Sequence, residues 1–202
     1  MVEGFKTNEE ILHQNKLDRK KEEKRKEEYG FQLLQRMKLL EKERGPIIQL
    51  RSDKEYFELI VNEERPYDVV MLTNLLPEES MERCKHCLKF EELLPQVHLT
   101  FDQIKEDRQV FFCTLYIDRD NQGLMDAFEH TGYGIVPLLS VSTNRQKVND
   151  KKVFGYGTFF EKSKEYTINP DDNPRVVDLV NFVNGALKTD VKVKQELSQL
   201  LY

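Results

Sequence analysis

Three cysteines are the reactive side chains of this 202-residue sequence, and two of them, Cys84 and Cys87, are spaced C-x-x-C. Two thiols at that spacing on a helix start can close a short disulfide. The free amides and positive end of the helix stabilise a thiolate on Cys84. That thiolate attacks a disulfide sulfur, and Cys87, one turn deeper, resolves the mixed disulfide. His86 lies between them, and an imidazolium beside Cys84 favours the thiolate and makes the couple more oxidising. Lys85 and Arg83 add positive charge at the same spot. The motif is also half of a zinc site, whose other half would have to come from Cys113 and His98. Cys113 sits among Phe and Leu, where a buried, inert thiol is expected, and His13, His98 and His130 are dispersed. No metal and no cofactor is expected.

The elements that must hold this dithiol read as follows. Residues 8–44 predict one long helix or a pair, solvated early and docking late through Phe31, Leu33, Leu34, Met37, Leu39 and Leu40, and ending at Gly45-Pro46. Ile47–Leu50 reads as a strand. Ser52-Asp53-Lys54-Glu55 fits a capping box that opens a helix to about Asn62. Tyr67–Thr73 is apolar enough for a strand buried on both faces. Asn74–Arg83 reads as a polar loop, and Cys84-Lys85-His86-Cys87 opens an amphipathic helix. Gln109–Ile117 is the strongest strand signal, and Asn121–His130 reads as a short helix. Leu138–Ser142 and Phe154–Phe160 read as strands flanking a polar loop, Asn144–Lys152. Pro174–Leu187, capped by Asn173, is the last full helix. A further short helix is possible in the tail. This alternation predicts an α/β fold with a mixed central sheet flanked by helices, in the order of thioredoxin. In that context Val136-Pro137 is more than a strand-edge proline. It is expected to be a cis bond facing the dithiol, where the Val136 backbone can pair with an extended peptide.

The charge distribution divides the chain. Residues 1–45 hold 12 basic and 10 acidic residues, including an unbroken charged run from Asp18 to Glu28, whereas residues 46–202 carry a net charge of −7. We expect a charged helical arm (1–45), a thioredoxin-like domain (46–190) and a C-terminal tail (191–202). An acidic domain lacks the basic footprint of sequence-independent nucleic-acid binding, so no nucleic-acid partner is expected. No stretch reaches the roughly 20 apolar residues of a spanning helix, and the first thirty residues lack the apolar region of a signal peptide. Asp118–Glu129 places acidic residues at positions 1, 3, 9 and 12 and glycine at position 6 of a calcium-type loop. The β-like segment before it and the lack of a second loop favour instead a strand end followed by an acidic first helical turn.

Several stretches together resemble the luminal thioredoxin-like domain of the oligosaccharyltransferase gamma-type subunits. This is the subunit three/subunit six family, whose animal members carry tumour-suppressor-candidate and magnesium-transporter names. The resemblance runs from Gly30 to Val193, through QLLQRMKLLEKE, IIQLRSDKEYFELI, PYDVVMLT, CKHC, VFFCTLYIDRD, MDAFEHTGYGIVPLL and VVDLVNFVNGAL. The long segment before the dithiol and the missing tryptophan before Cys84 also fit that family. The resemblance implies capture of nascent polypeptides beside other oligosaccharyltransferase subunits, with Cys84 as nucleophile and Cys87 as resolving thiol. It implies a groove at Val136 and Pro137, and residence in the endoplasmic reticulum lumen or membrane. Its signal sequence and four membrane spans have no counterpart in these residues. Two other readings stay open. One is a cytoplasmic, phosducin-like adaptor with a charged helical arm, and the other is a free-standing thiol–disulfide oxidoreductase.

Overall fold

The two most apolar runs of the chain become the two central strands of one sheet. The computed structural model describes residues 8–62, 64–75, 85–104, 109–117, 137–143, 152–154 and 175–193. In chain order these are α1 (Asn8–Arg44), β1 (Ile47–Leu50), α2 (Asp53–Tyr56, continued by a π-turn over Phe57–Val61), β2 (Asp68–Leu75) and α3 (Lys85–Phe101, with a 3-10 turn to Ile104). Then follow β3 (Val110–Ile117), β4 (Leu138–Thr143), β5 (Lys152–Phe154) and α4 (Val176–Leu187). The sheet order is β1-β3-β2-β4-β5. β1 and β2 run parallel to β3, while β4 is antiparallel to β2 and β5 antiparallel to β4. This is the thioredoxin-like arrangement expected from the sequence.

Alternation along the strands sends side chains to two separate cores. Val70, Leu72, Val110, Phe112, Leu139 and Val141 meet α3 and α4 on one face. Val69, Met71, Phe111, Cys113, Leu115 and Ile117 meet α1 and α2 on the other. A strand flanked by helices on both faces has no solvent side, which is why these runs read as continuously apolar.

The long amino-terminal segment is a single helix. Its first half is exposed, and it docks from Gly30 onward through Leu33, Met37 and Leu40. Gly30 is required for that approach, because a Cβ there would meet the Glu64 carbonyl oxygen at 2.6 Å. Gly45, at φ 97°, makes the left-handed turn into β1. Arg44 closes the corner with two bonds to the Glu55 carboxylate, at 2.9 and 2.8 Å.

Several boundaries differ from the sequence reading. At α2 the Ser52 hydroxyl accepts from Glu55 N as expected, at 3.2 Å. The Glu55 carboxylate, however, takes the Arg51 amide and, bidentately, the half-buried Arg44 guanidinium, because a charge-assisted pair of bonds outcompetes the Ser52 amide. β2 continues through Asn74 and Leu75, which the sequence assigned to a loop, since pairing with Tyr116 and Ile117 extends the ladder. α4 begins at Val176, with the Arg175 amide donating to the Asp178 carboxylate at 3.0 Å. Arg175 also holds the Asp178 carboxyl below the usual carboxylate range. β5 begins at Lys152, earlier than expected. After α4, Val191 is tied to the Asn184 side chain through both its amide and its carbonyl, at 3.0 and 2.7 Å. The expected helix Asn121–His130, the calcium-like segment Asp118–Glu129, the proposed cap Asn173 and residues 194–202 lie outside the described residues.

Candidate thiol-disulfide site

The dithiol helix starts where the sequence puts it. α3 begins at Lys85, so Lys85, His86 and Cys87 occupy its first turn. Cys87 is fully buried and disulfide-bonded. Cys84 and Val136 lie outside the described residues, as do the side chains of Lys85 and His86.

The carboxyl ends of β2 and β3 support this turn. Asn74 is fully buried, and its side-chain amide donates to the Cys87 carbonyl at 3.0 Å and to Glu91 Oε1 at 3.2 Å. Its own oxygen accepts the Leu75 amide at 3.1 Å. Tyr116, the register partner of Asn74 on β3, lies beside the same Glu91 carboxylate. Burial, with Glu91 beside it, pushes the Tyr116 hydroxyl up to about 12, so it remains a donor at neutral pH. The sequence reading missed Asn74, Glu91 and Tyr116. A signal existed at Asn74: an amide directly after four apolar strand residues and a threonine is out of place unless something binds it.

Pro137 is buried immediately before β4. The first residue of that strand, Leu138, pairs with Thr73, so the antiparallel register brings Pro137 alongside the Asn74 end of β2. Pro137 and the first turn of α3 therefore sit at the same end of the sheet. Thr73 is fully buried there, and its hydroxyl has no hydrogen-bond partner among the described residues.

The third cysteine is separate from this site. Cys113 is free, fully buried and packed in the α1–α2 core. Burial pushes its thiol up to about 12, which leaves almost no thiolate at neutral pH. His98, on α3, packs edge-on against Phe112 at 5.1 Å on the opposite face of the sheet. Neighbouring residues on a strand point to opposite faces. Cys113 and His98 therefore do not converge on a zinc site. Among the described residues no group of three or more His, Cys, Asp or Glu could hold a metal ion.

A family model described as "OST3 / OST6 family, transporter family" matches residues 35–200. The chain belongs to the OST3/OST6 family. Membership supports a role as an oligosaccharyltransferase subunit in N-glycosylation, associated with that complex, and points to the endoplasmic reticulum. The match takes in the end of α1 that carries Met37 and Leu40, the whole sheet and the C-x-x-C. It leaves out the charged run from Asp18 to Glu28. No individual curated protein matches the sequence. No described helix is long and apolar enough to cross a membrane.

Proposed function

We propose that this OST3/OST6 chain holds nascent polypeptides next to oligosaccharyltransferase through reversible disulfide exchange at Cys84 and Cys87. The observation that carries the reading is the buried, disulfide-bonded Cys87 in the first turn of α3. The remaining cysteine is inert. Cys84 is the partner assigned to Cys87. A client thiolate attacks the Cys84 sulfur, the Cys84–Cys87 bond breaks, and Cys87 leaves as a thiolate that takes up a proton. The client is then joined to Cys84. Reversal, with Cys87 attacking Cys84, releases the client as a thiolate and restores the disulfide. No net oxidation occurs, so the cycle needs no external oxidant. While the client is held its own disulfides are delayed, and neighbouring asparagines stay accessible to glycosylation.

Lys85 and His86 favour the thiolate forms by their charge. The Val136-Pro137 backbone adds main-chain pairing with an extended client segment. The buried Pro137 at the Asn74 end of β2 supports that assignment.

Trapping tests the reading. Cys87→Ser holds Cys84 as a free thiol that attacks a client disulfide, releases one client sulfur as a thiolate and cannot be resolved, so it should accumulate mixed disulfides with client chains, visible as bands that collapse on reduction. Cys84→Ser should form none. Capture that persists unchanged in Cys84→Ser would replace covalent holding with an adaptor role that needs no dithiol.

A further inference from the structure

The amide of Asn74 bridges the Cys87 carbonyl and the Glu91 carboxylate, and Tyr116, its register partner on the neighbouring strand, lies beside that carboxylate. Both N–H groups of Asn74 are used, its oxygen is used, and the side chain is fully buried. A buried amide satisfied in this way has one geometry open to it. The carboxyl end of β2 therefore holds the first turn of α3.

We propose that Asn74, Glu91 and Tyr116 form a clamp that positions Cys87 for attack on the Cys84 mixed disulfide, and so sets how long a client is held. The inference rests on the disulfide-exchange reading above. In the closed form the sulfur–sulfur bond itself holds Cys87. In the mixed disulfide nothing covalent does, and the turn that carries Cys87 must stay ordered for ring closure to be fast. Hydrogen bonds from the strands supply that order in advance, which raises the effective concentration of Cys87 against Cys84. Glu91 acts here as an acceptor oxygen. Asn74 and Tyr116 are positioning residues.

The test equilibrates the full chain with glutathione and its disulfide, quenches with acid, and counts closed disulfide against glutathione mixed disulfide by mass. Asn74→Leu keeps the volume and loses both donors. It should raise the ratio of mixed to closed disulfide about tenfold, the size expected from losing one to two net hydrogen bonds. Tyr116→Phe should raise it in the same direction by a smaller factor. It also serves as the second variant if Asn74→Leu does not fold. Glu91→Gln keeps an acceptor oxygen for both donors and should stay near the wild-type ratio. A lowered melting temperature with an unchanged ratio in Asn74→Leu and Tyr116→Phe would overturn the clamp, because a merely structural role weakens both redox forms alike. A Glu91→Gln shift as large as that of Asn74→Leu would also overturn it, in favour of the carboxylate charge. If wild-type protein forms no exchangeable disulfide at all, the exchange reading itself fails and the clamp's role falls with it. Normal wild-type exchange with unmoved variants removes the clamp alone.

Discussion

Cys113 and Cys87 are both fully buried, yet their surroundings give them opposite chemistry. Cys113 sits mid-strand in an apolar core, with burial opposing its thiolate. Cys87 sits on a helix's first turn, with its carbonyl held by Asn74 at the polar end of β2. After reduction, iodoacetamide at neutral pH should therefore modify Cys84 in the native protein and leave Cys113 untouched until urea unfolds the chain. Equal native rates would remove the redox assignment. The same burial has a consequence at high pH. Cys113 is raised from 9.0 to about 12, and Tyr116 from 10.0 to about 12. The folded state thus keeps protons that the unfolded state gives up. Stability from these groups is intact below about pH 9 and is lost as pH climbs toward 12. Urea midpoints measured from pH 8 to pH 11 should fall, and fall less steeply in Cys113→Ala. The place of Cys87 was legible because two identical side chains at fixed spacing before an amphipathic run mark a helix start. The Asn74–Glu91–Tyr116 network was not, because its members are far apart in sequence and meet only through strand register.

At the scale of elements, the close approach of α1 to the chain before β2 is decided at Gly30. Within an isolated helix, replacing glycine by alanine gains up to about 1 kcal/mol. Here the added methyl meets the backbone oxygen of Glu64 at 2.6 Å, and a backbone atom yields less readily than a side chain. Overpacking of this kind costs about 1–3 kcal/mol, so the clash outweighs the propensity gain. Gly30→Ala should lower the urea midpoint, while alanine at the exposed Lys24 should leave it nearly unchanged. A stabilised Gly30→Ala protein would show that α1 does not dock as described. Helical spacing from Leu33 to Leu40 revealed which part of α1 docks. The need for glycine at residue 30 could not be read, because it depends on a carbonyl 34 positions away.

At the scale of the whole molecule, the chain has two cores on either side of one sheet, and α1 belongs to one of them only in its second half. The charge pattern put the arm's boundary at residue 45. Leu33, Met37 and Leu40 pack instead with β1, α2 and the central strands. We propose a working boundary nearer residue 29. Removing residues 1–28 should leave thermal unfolding nearly unchanged, since this part of α1 is exposed and its ion pairs are surface pairs worth little. Removing residues 1–45 uncovers a core face and should leave a protein that aggregates or melts well below the full chain. Matching melts for the two truncations would return the boundary to residue 45.

By itself the sequence determined the order of elements, the thioredoxin-like class, the position of Cys87 at a helix start and the family resemblance. These depend on local periodicity, capping and short spacing, which a linear chain displays directly. Tertiary structure alone decided that Asn74 is a strand residue gripping the Cys87 turn. It also separated Cys113 from His98 by a sheet and required glycine at residue 30. Each of those depends on which distant residues a register or a helix crossing brings together, and such pairings are set by packing across the sheet.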